Sequence, residues 1–213
     1  RQARLTLGEK KLAFDEIPVR YWEPNPEFEA LNPSGMVPVA VVRREGKKPL
    51  VLCETQAILG WAEEEVADPP LMSHDPAERA EARRLQQWFD KKFDYEVNAL
   101  LLHEKMEKRL LGLGAPDMSA MRAGREALKR HFAYLESLLQ AREWLAGRRL
   151  SFADFAAAAH VSIHDYFGEA PWADHPALKT WYSKIKSRPA FRPLLLDRLP
   201  GMQPSAHYHD LDF

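Results

Sequence analysis

Leu31-Asn32-Pro33-Ser34-Gly35-Met36-Val37-Pro38-Val39-Ala40-Val41-Val42, then a polar loop, then Pro49-Leu50-Val51-Leu52-Cys53-Glu54-Thr55-Gln56-Ala57-Ile58: this stretch decides how the rest of the chain is read. Asn32 to Gly35 is a cluster of turn-forming residues. Val37 to Val42 is rich in β-branched residues and has the length of a strand. Arg43 to Lys48, with Gly46 inside it, suits a hairpin loop, and Pro49 to Cys53 reads as the returning strand. Glu54-Thr55 then opens a helix with apolar residues at Ile58, Leu59 and Trp61. Pro38 lacks an N–H and belongs at a strand start or edge. A cis bond before it would turn the main chain of Val37 outward. At the helix start, unpaired N–H groups and the positive dipole end favour an anion. There the Thr55 hydroxyl suits a carboxylate and Glu54 an ammonium, together the zwitterionic end of an amino acid.

Asn32-Pro33-Ser34-Gly35-Met36-Val37-Pro38 followed by Glu54-Thr55-Gln56-Ala57-Ile58 resembles the N-P-x-G-x-V-P and E-S-x-A-I pattern of the glutathione transferase superfamily. The resemblance implies an α+β chain, with a thioredoxin-like N-terminal domain and an all-α C-terminal domain. It implies glutathione as ligand, without a metal. Val37, before Pro38, would pair through its backbone with the cysteinyl unit, and Glu54 and Thr55 would hold the γ-glutamyl end. Thr55 stands where serine is usual, so the hydroxyl is kept and a methyl is added. The same Pro38 and Glu54 also serve the fold alone in members that catalyse nothing.

At 213 residues and 24.5 kDa, with 46% apolar residues, the chain is long enough for one or two cores. A net charge of −1 and a pI near 6.8 carry no footprint for nucleic acid. One cysteine excludes an internal disulfide framework and suits a reducing, cytoplasmic setting. No run approaches the roughly 18 apolar residues of a membrane span.

Arg1 to Leu12 reads as an amphipathic helix with Ala3, Leu5, Leu7 and Leu12 facing inward. It resembles the first helix of the superfamily, which follows a first strand and a loop that carries the thiol-activating residue. Neither is among these residues, so the resemblance puts the catalytic group before Arg1. Phe14 to Arg20 reads as a strand, with Ile17 and Val19 on one side. Tyr21-Trp22 borders the loop stiffened by Pro24 and Pro26. Tyr21 reads as tucked under that loop; Trp22 reads equally as core or as an exposed binding anchor.

Val66 to Asp75 reads as the linker, giving domains at 1–66 and 76–190 joined through 67–75, with a tail at 191–213. Leu71 or Met72 would plug into the neighbouring domain. Asp75-Pro76 is an N-cap followed by proline at the first helical position. A long helical pattern runs from Ala77 to about Leu111, with Leu85, Trp88, Phe89, Lys92, Phe93 and Glu96 spaced at three and four, until Gly112, Gly114 and Pro116 break it. Met118 to Ala141 is the next helix, with Leu128, Phe132, Leu135 and Leu139 as its buried line. Ser151 and Asp154 form a capping box, Asp replacing the usual Glu or Gln. It resembles the folding box of the superfamily's helical domain, and neither residue is assigned chemistry. His160 and His164 share a helix face beside Asp165, but no third ligand or H-E-x-x-H pattern accompanies them. Cys53, closing an apolar strand, reads as a small buried hydrophobe. Pro176 to Arg188 is the last clear helix.

The ending is not a polar frayed tail. Asp210-Leu211-Asp212-Phe213 alternates acids with large apolar residues. This layout suits docking into a partner groove. Equally, Tyr208, Leu211 and Phe213 would fold back over the chain's own helices. The Ser187-Arg188-Pro189-Ala190-Phe191-Arg192-Pro193 run with this ending resembles a bacterial branch of the superfamily that includes an FtsZ-binding cell-division protein. That resemblance implies FtsZ filaments as partner, with Trp22, Asp210, Leu211, Asp212 and Phe213 as contact residues and a vestigial glutathione site. The alternative is a cytosolic transferase conjugating glutathione to small electrophiles. Either way the resemblance implies a homodimer, with Trp61 and Phe89 read equally as interface or core.

Overall fold

The computed structural model describes residues 1–212; Phe213 lies outside them. The chain divides into two compact units, Arg1–Pro70 and Leu71–Phe213.

In the first unit, helix α1 (Gln2–Glu9) packs against α3 (Thr55–Glu65) through the buried Ala3 and Leu5. It ends two turns in, short of Leu12, and the reason is local. Lys11 takes φ 55, and the amides of Lys11 and Leu12 fold back to the carbonyls of Gly8 and Leu7 at 3.1 and 2.9 Å. This is the bonding of a Schellman motif, with lysine where glycine is usual. Leu7 and Leu12 are therefore only half-buried. Lys10, just past the helix end, is buried because its ammonium donates to the carbonyls of Val66 and Pro69, both at 2.7 Å, beside Glu63. These bonds tie the end of α1 to the end of α3.

Strands β1 (Val39–Val42) and β2 (Leu50–Cys53) pair antiparallel, Val39 opposite Cys53 and Val42 opposite Leu50. The reading of Phe14 to Arg20 as a strand is overturned. The segment joins no ladder among the described residues, and Ile17 is 82% exposed. A strand needs a partner for its N–H and C=O groups, and among the described residues this segment pairs with none. Its β-like pattern is local; the ladder is not. Tyr21 is likewise not tucked away: it is 38% exposed and stands edge-on to Trp22, ring centres 5.1 Å apart. Helix α2 (Pro26–Leu31) follows, capped by Asn25, whose side chain accepts from Phe28 N at 3.0 Å.

The second unit is helical. Asp75 caps α4 (Pro76–Gln87), accepting from Ala77 N at 2.9 Å, with Pro76 at the first helical position. Leu71 lies buried in this unit, and its carbonyl receives Phe152 N at 3.2 Å. The helix then continues in two windings. Trp88–Asn98 and His103–Glu107 are π-helical, and the short α5 (Ala99–Leu102) and α6 (Lys108–Leu110) follow them in turn. The sequence explains this. Leu85, Phe89, Phe93, Val97 and Leu101 recur at a strict spacing of four, and all are fully buried. At 3.6 residues per turn each such step overshoots a full turn by about 40°, which would carry Leu101 about 160° away from Leu85. The looser π winding cancels that drift and holds the five side chains in one row. The expected stripe exists, but the helix bends its own geometry to keep it. Phe89, in this row, is core and so unavailable to an interface.

Helix α7 (Met118–Ala141) is capped by Asp117 and buries Leu128, Phe132, Leu135 and Leu139 as its spacing predicts. Helix α8 (Phe152–Tyr166) is central: every residue in it except His160 and Ile163 is buried. Its alanines permit close approach, as expected of a helix covered on all sides. A 3-10 turn (Trp172–Asp174), α9 (Pro176–Lys186) and α10 (Arg192–Leu195) complete the unit.

Candidate functional site

The first candidate is the corner where the turn before β1 meets the start of α3. Asn32 is buried and builds the turn, its Oδ1 accepting from Ser34 N at 3.2 Å and its Nδ2 donating to Met36 O at 2.8 Å. Gly35 takes φ 67, open to glycine without penalty. Ser34 Oγ accepts from Met36 N at 3.2 Å and donates to Glu54 Oε1 at 3.3 Å. Glu54 N donates to Pro38 O at 3.2 Å, which brings Pro38 and Glu54 side by side. The Val37–Pro38 peptide is cis. Val37 is 40% exposed and lies beyond the last ladder pair, Val39–Cys53.

Glu54 is the N-cap of α3 yet does not cap it with its side chain. Its backbone takes φ 72, ψ 148, a region used almost only by glycine and costing about 1–3 kcal/mol for other residues. That geometry leaves the carboxylate exposed at the helix start with Thr55 half-buried behind it. The corner therefore holds a hydroxyl at the positive end of an 11-residue helix, a carboxylate beside it and an exposed Val37 outside the ladder. These features fit a ligand that carries a peptide unit and an amino-acid end. Cys53 is not the buried hydrophobe its strand suggests: it is half-buried, and its Sγ donates to Leu31 O at 3.3 Å.

The second candidate is the tail. Tyr208 folds back onto its own helical unit, fully buried, with its hydroxyl donating to Leu194 O at 3.2 Å and its ring edge-on to Tyr166 at 5.0 Å. Two residues later the Asp210 amide donates to the His207 carbonyl at 3.0 Å. Asp210 and Asp212 are exposed and Leu211 is half-buried between them; Phe213 lies outside the described residues. The fold-back reading holds for Tyr208, and Leu211 is half-buried. Trp22 is exposed in the first unit.

His160 and His164 do not meet as metal ligands. Asn98 lies between them, Nδ2 2.8 Å from His160 Nδ1 and Oδ1 2.8 Å from His164 Nε2. Burial, reinforced by the nearby His160, pushes the His164 imidazole down to about 3, so it stays neutral. Among the described residues no group of three or more His, Cys, Asp or Glu is placed to hold a metal ion. Sequence reasoning missed Asp165 and His207 as a pair; they lie 2.9 Å apart across 42 positions, which no local pattern marks.

Two family models match the chain, the glutathione S-transferase N-terminal domain over residues 1–65 and its C-terminal domain over residues 99–189. Over all 213 residues the chain is 66% identical to FtsZ-localized protein A of Caulobacter vibrioides, covering 93% of that protein. The solved structure of FzlA from C. crescentus superimposes with a TM-score of 0.97, covering 100% of this chain and 94% of that one. A glutathione S-transferase from Rhodospirillum rubrum F11, 43% identical, superimposes at 0.94 with the same coverage.

Proposed function

We propose that this chain, which belongs to the glutathione S-transferase family, works as an FtsZ-binding scaffold in cell division rather than chiefly as a transferase. The observation that carries this is the 66% identity, across the whole chain, to a protein named for its localisation with FtsZ. The exposed Asp210 and Asp212, on either side of Leu211, offer two anions and an apolar contact from an anchored segment. Trp22 offers an exposed aromatic of the kind that anchors interfaces. Phe213 is kept as a contact residue from the sequence alone. The working form is a homodimer in the cytoplasm. No helix among the described residues is long and apolar enough to cross a membrane.

The test is co-sedimentation with FtsZ polymers. Asp210→Lys reverses a charge at an exposed position, so it should abolish pelleting while leaving the chain folded, with a small drop in thermal midpoint from the lost attraction between Asp210 and the buried Lys186. Unchanged pelleting would remove the tail from the binding surface.

A second reading is supported by the corner at Val37, Pro38, Glu54 and Thr55: glutathione binding, with or without conjugation to small electrophiles. Calorimetric titration of glutathione separates the two. Binding in the micromolar to low-millimolar range, weakened by Thr55→Val, would favour a working site. No heat would make the corner a relic of the family fold.

A further inference from the structure

Asp165 is a fully buried carboxylate near the end of α8. A buried charge is costly unless paired and hydrogen-bonded, so its partners say what it is kept for. Oδ1 accepts from Trp172 Nε1 at 3.0 Å and lies 2.9 Å from His207 Nε2. Oδ2 lies 3.5 Å from Nζ of Lys186, whose side chain is also fully buried. Trp172 and Lys186 belong to the helical body, and His207 belongs to the tail.

The neighbouring bonds reach the tail as well. Ser205 Oγ donates to the Asp165 carbonyl at 2.7 Å, and Ser205 N donates to the Tyr166 carbonyl at 2.8 Å. The Tyr166 hydroxyl donates to Met202 O at 2.8 Å and accepts from Leu199 N at 3.1 Å. The Lys186 ammonium, beside Asp165, sits 5.8 Å from the Tyr208 ring. Two adjacent residues, Asp165 and Tyr166, thus hold the chain from Leu199 to Tyr208.

We propose that Asp165 is the positioning residue of the C-terminal tail: through His207 and Ser205 it fixes the backbone just before Asp210, and so sets where Asp210 and Asp212 are presented to a partner. What the tail meets rests on the FtsZ reading; how the tail is held does not. Trp172 and Lys186 still serve Asp165 when His207 is gone, so the body survives loss of the tail bond. His207 is therefore the residue to change.

The experiment uses the full chain in three forms: wild type, His207→Leu, which has no donor, and His207→Gln, whose amide N–H replaces it. Hydrogen exchange is read on the tail amides of Leu199, Ser205 and Tyr208, with amides of α8 as the internal reference. Co-sedimentation with FtsZ polymers is read in parallel. His207→Leu should speed tail exchange at least tenfold, leave α8 unchanged and lose pelleting, and His207→Gln should restore both. Unchanged tail exchange in His207→Leu overturns the hold, as does a Gln variant that behaves like Leu. A loosened tail that still pellets normally overturns its role in presenting the acids. If the wild type fails to pellet while tail exchange responds as expected, the FtsZ reading falls and the hold stands.

Discussion

Asn98 joins the π-helical stretch to the central helix through His164: Asn98 Oδ1 and His164 Nε2 are 2.8 Å apart, and both residues are buried. Because the oxygen accepts, Nε2 carries the proton. The same carboxamide donates toward Asp94 Oδ1 at 2.9 Å. Asp90, Asp94 and Asn98 are spaced by four, as are the core residues of this helix, and the looser winding that aligns one row aligns the other.

Asn98→Ala should therefore lower stability by about 2–3 kcal/mol, because it strands the buried donor of His164 and opens a small cavity. Urea denaturation measures it. A loss below about 0.5 kcal/mol would mean that water or repacking replaces the amide.

The same pair sets a pH dependence. His164 is held at about 3 by burial and by His160, while the unfolded chain titrates at 6.5; Glu169 opposes the shift. Above pH 6.5 neither state takes the proton. As the pH falls below 6.5 the unfolded chain takes it first, so stability declines from there toward about pH 3. His131, also pushed down by burial, acts in the same direction. Each such group contributes on the order of 1 kcal/mol per pH unit inside its window. Thermal midpoints should fall from pH 7.5 to pH 5, and His164→Gln should make the fall shallower.

Asp154 should matter far more than a helix cap usually does. Its carboxylate accepts from Ser151 N at 2.8 Å, Ser151 Oγ at 2.9 Å, Leu145 N at 3.0 Å and Trp181 Nε1 at 2.9 Å. Burial pushes its pKa up, and the four donors oppose that. Asp154→Ala leaves four donors stranded and should cost about 3–5 kcal/mol. Ser151→Ala removes one of them and should cost about 1 kcal/mol. Equal losses in chemical denaturation would reduce Asp154 to an ordinary cap.

Glu54→Gly tests strain held at the glutathione-type corner. Glycine adopts φ 72, ψ 148 freely, so the fold should gain about 1 kcal/mol after the larger entropy of the unfolded glycine is subtracted. Any glutathione binding should weaken, because the carboxylate is lost. A destabilised variant would show that the Ser34–Glu54 bond outweighs the backbone strain.

Short-range features were legible in the residues themselves. The Asn32–Gly35 turn, the hairpin, the Asp75-Pro76 helix start, the Ser151–Asp154 box and the buried line of α7 each depend on partners a few positions apart, so the local pattern carries the whole physical cause. The Glu54-Thr55 helix start was readable for the same reason, whereas its meeting with Val37 and Pro38 was expected only from the family resemblance. Other features were decided only when distant segments met. Phe14 to Arg20 has a strand's composition but no ladder, because a strand exists only with a partner. The run at 85, 89, 93, 97 and 101 was visible, yet the winding was not, since only packing against α7 and α8 shows that all five must stay in one row. Asp165 looked like a neighbour of two histidines. It is instead bound to a tail residue 42 positions away, because a buried charge takes its partners from whatever the fold brings to it, not from its place in the chain.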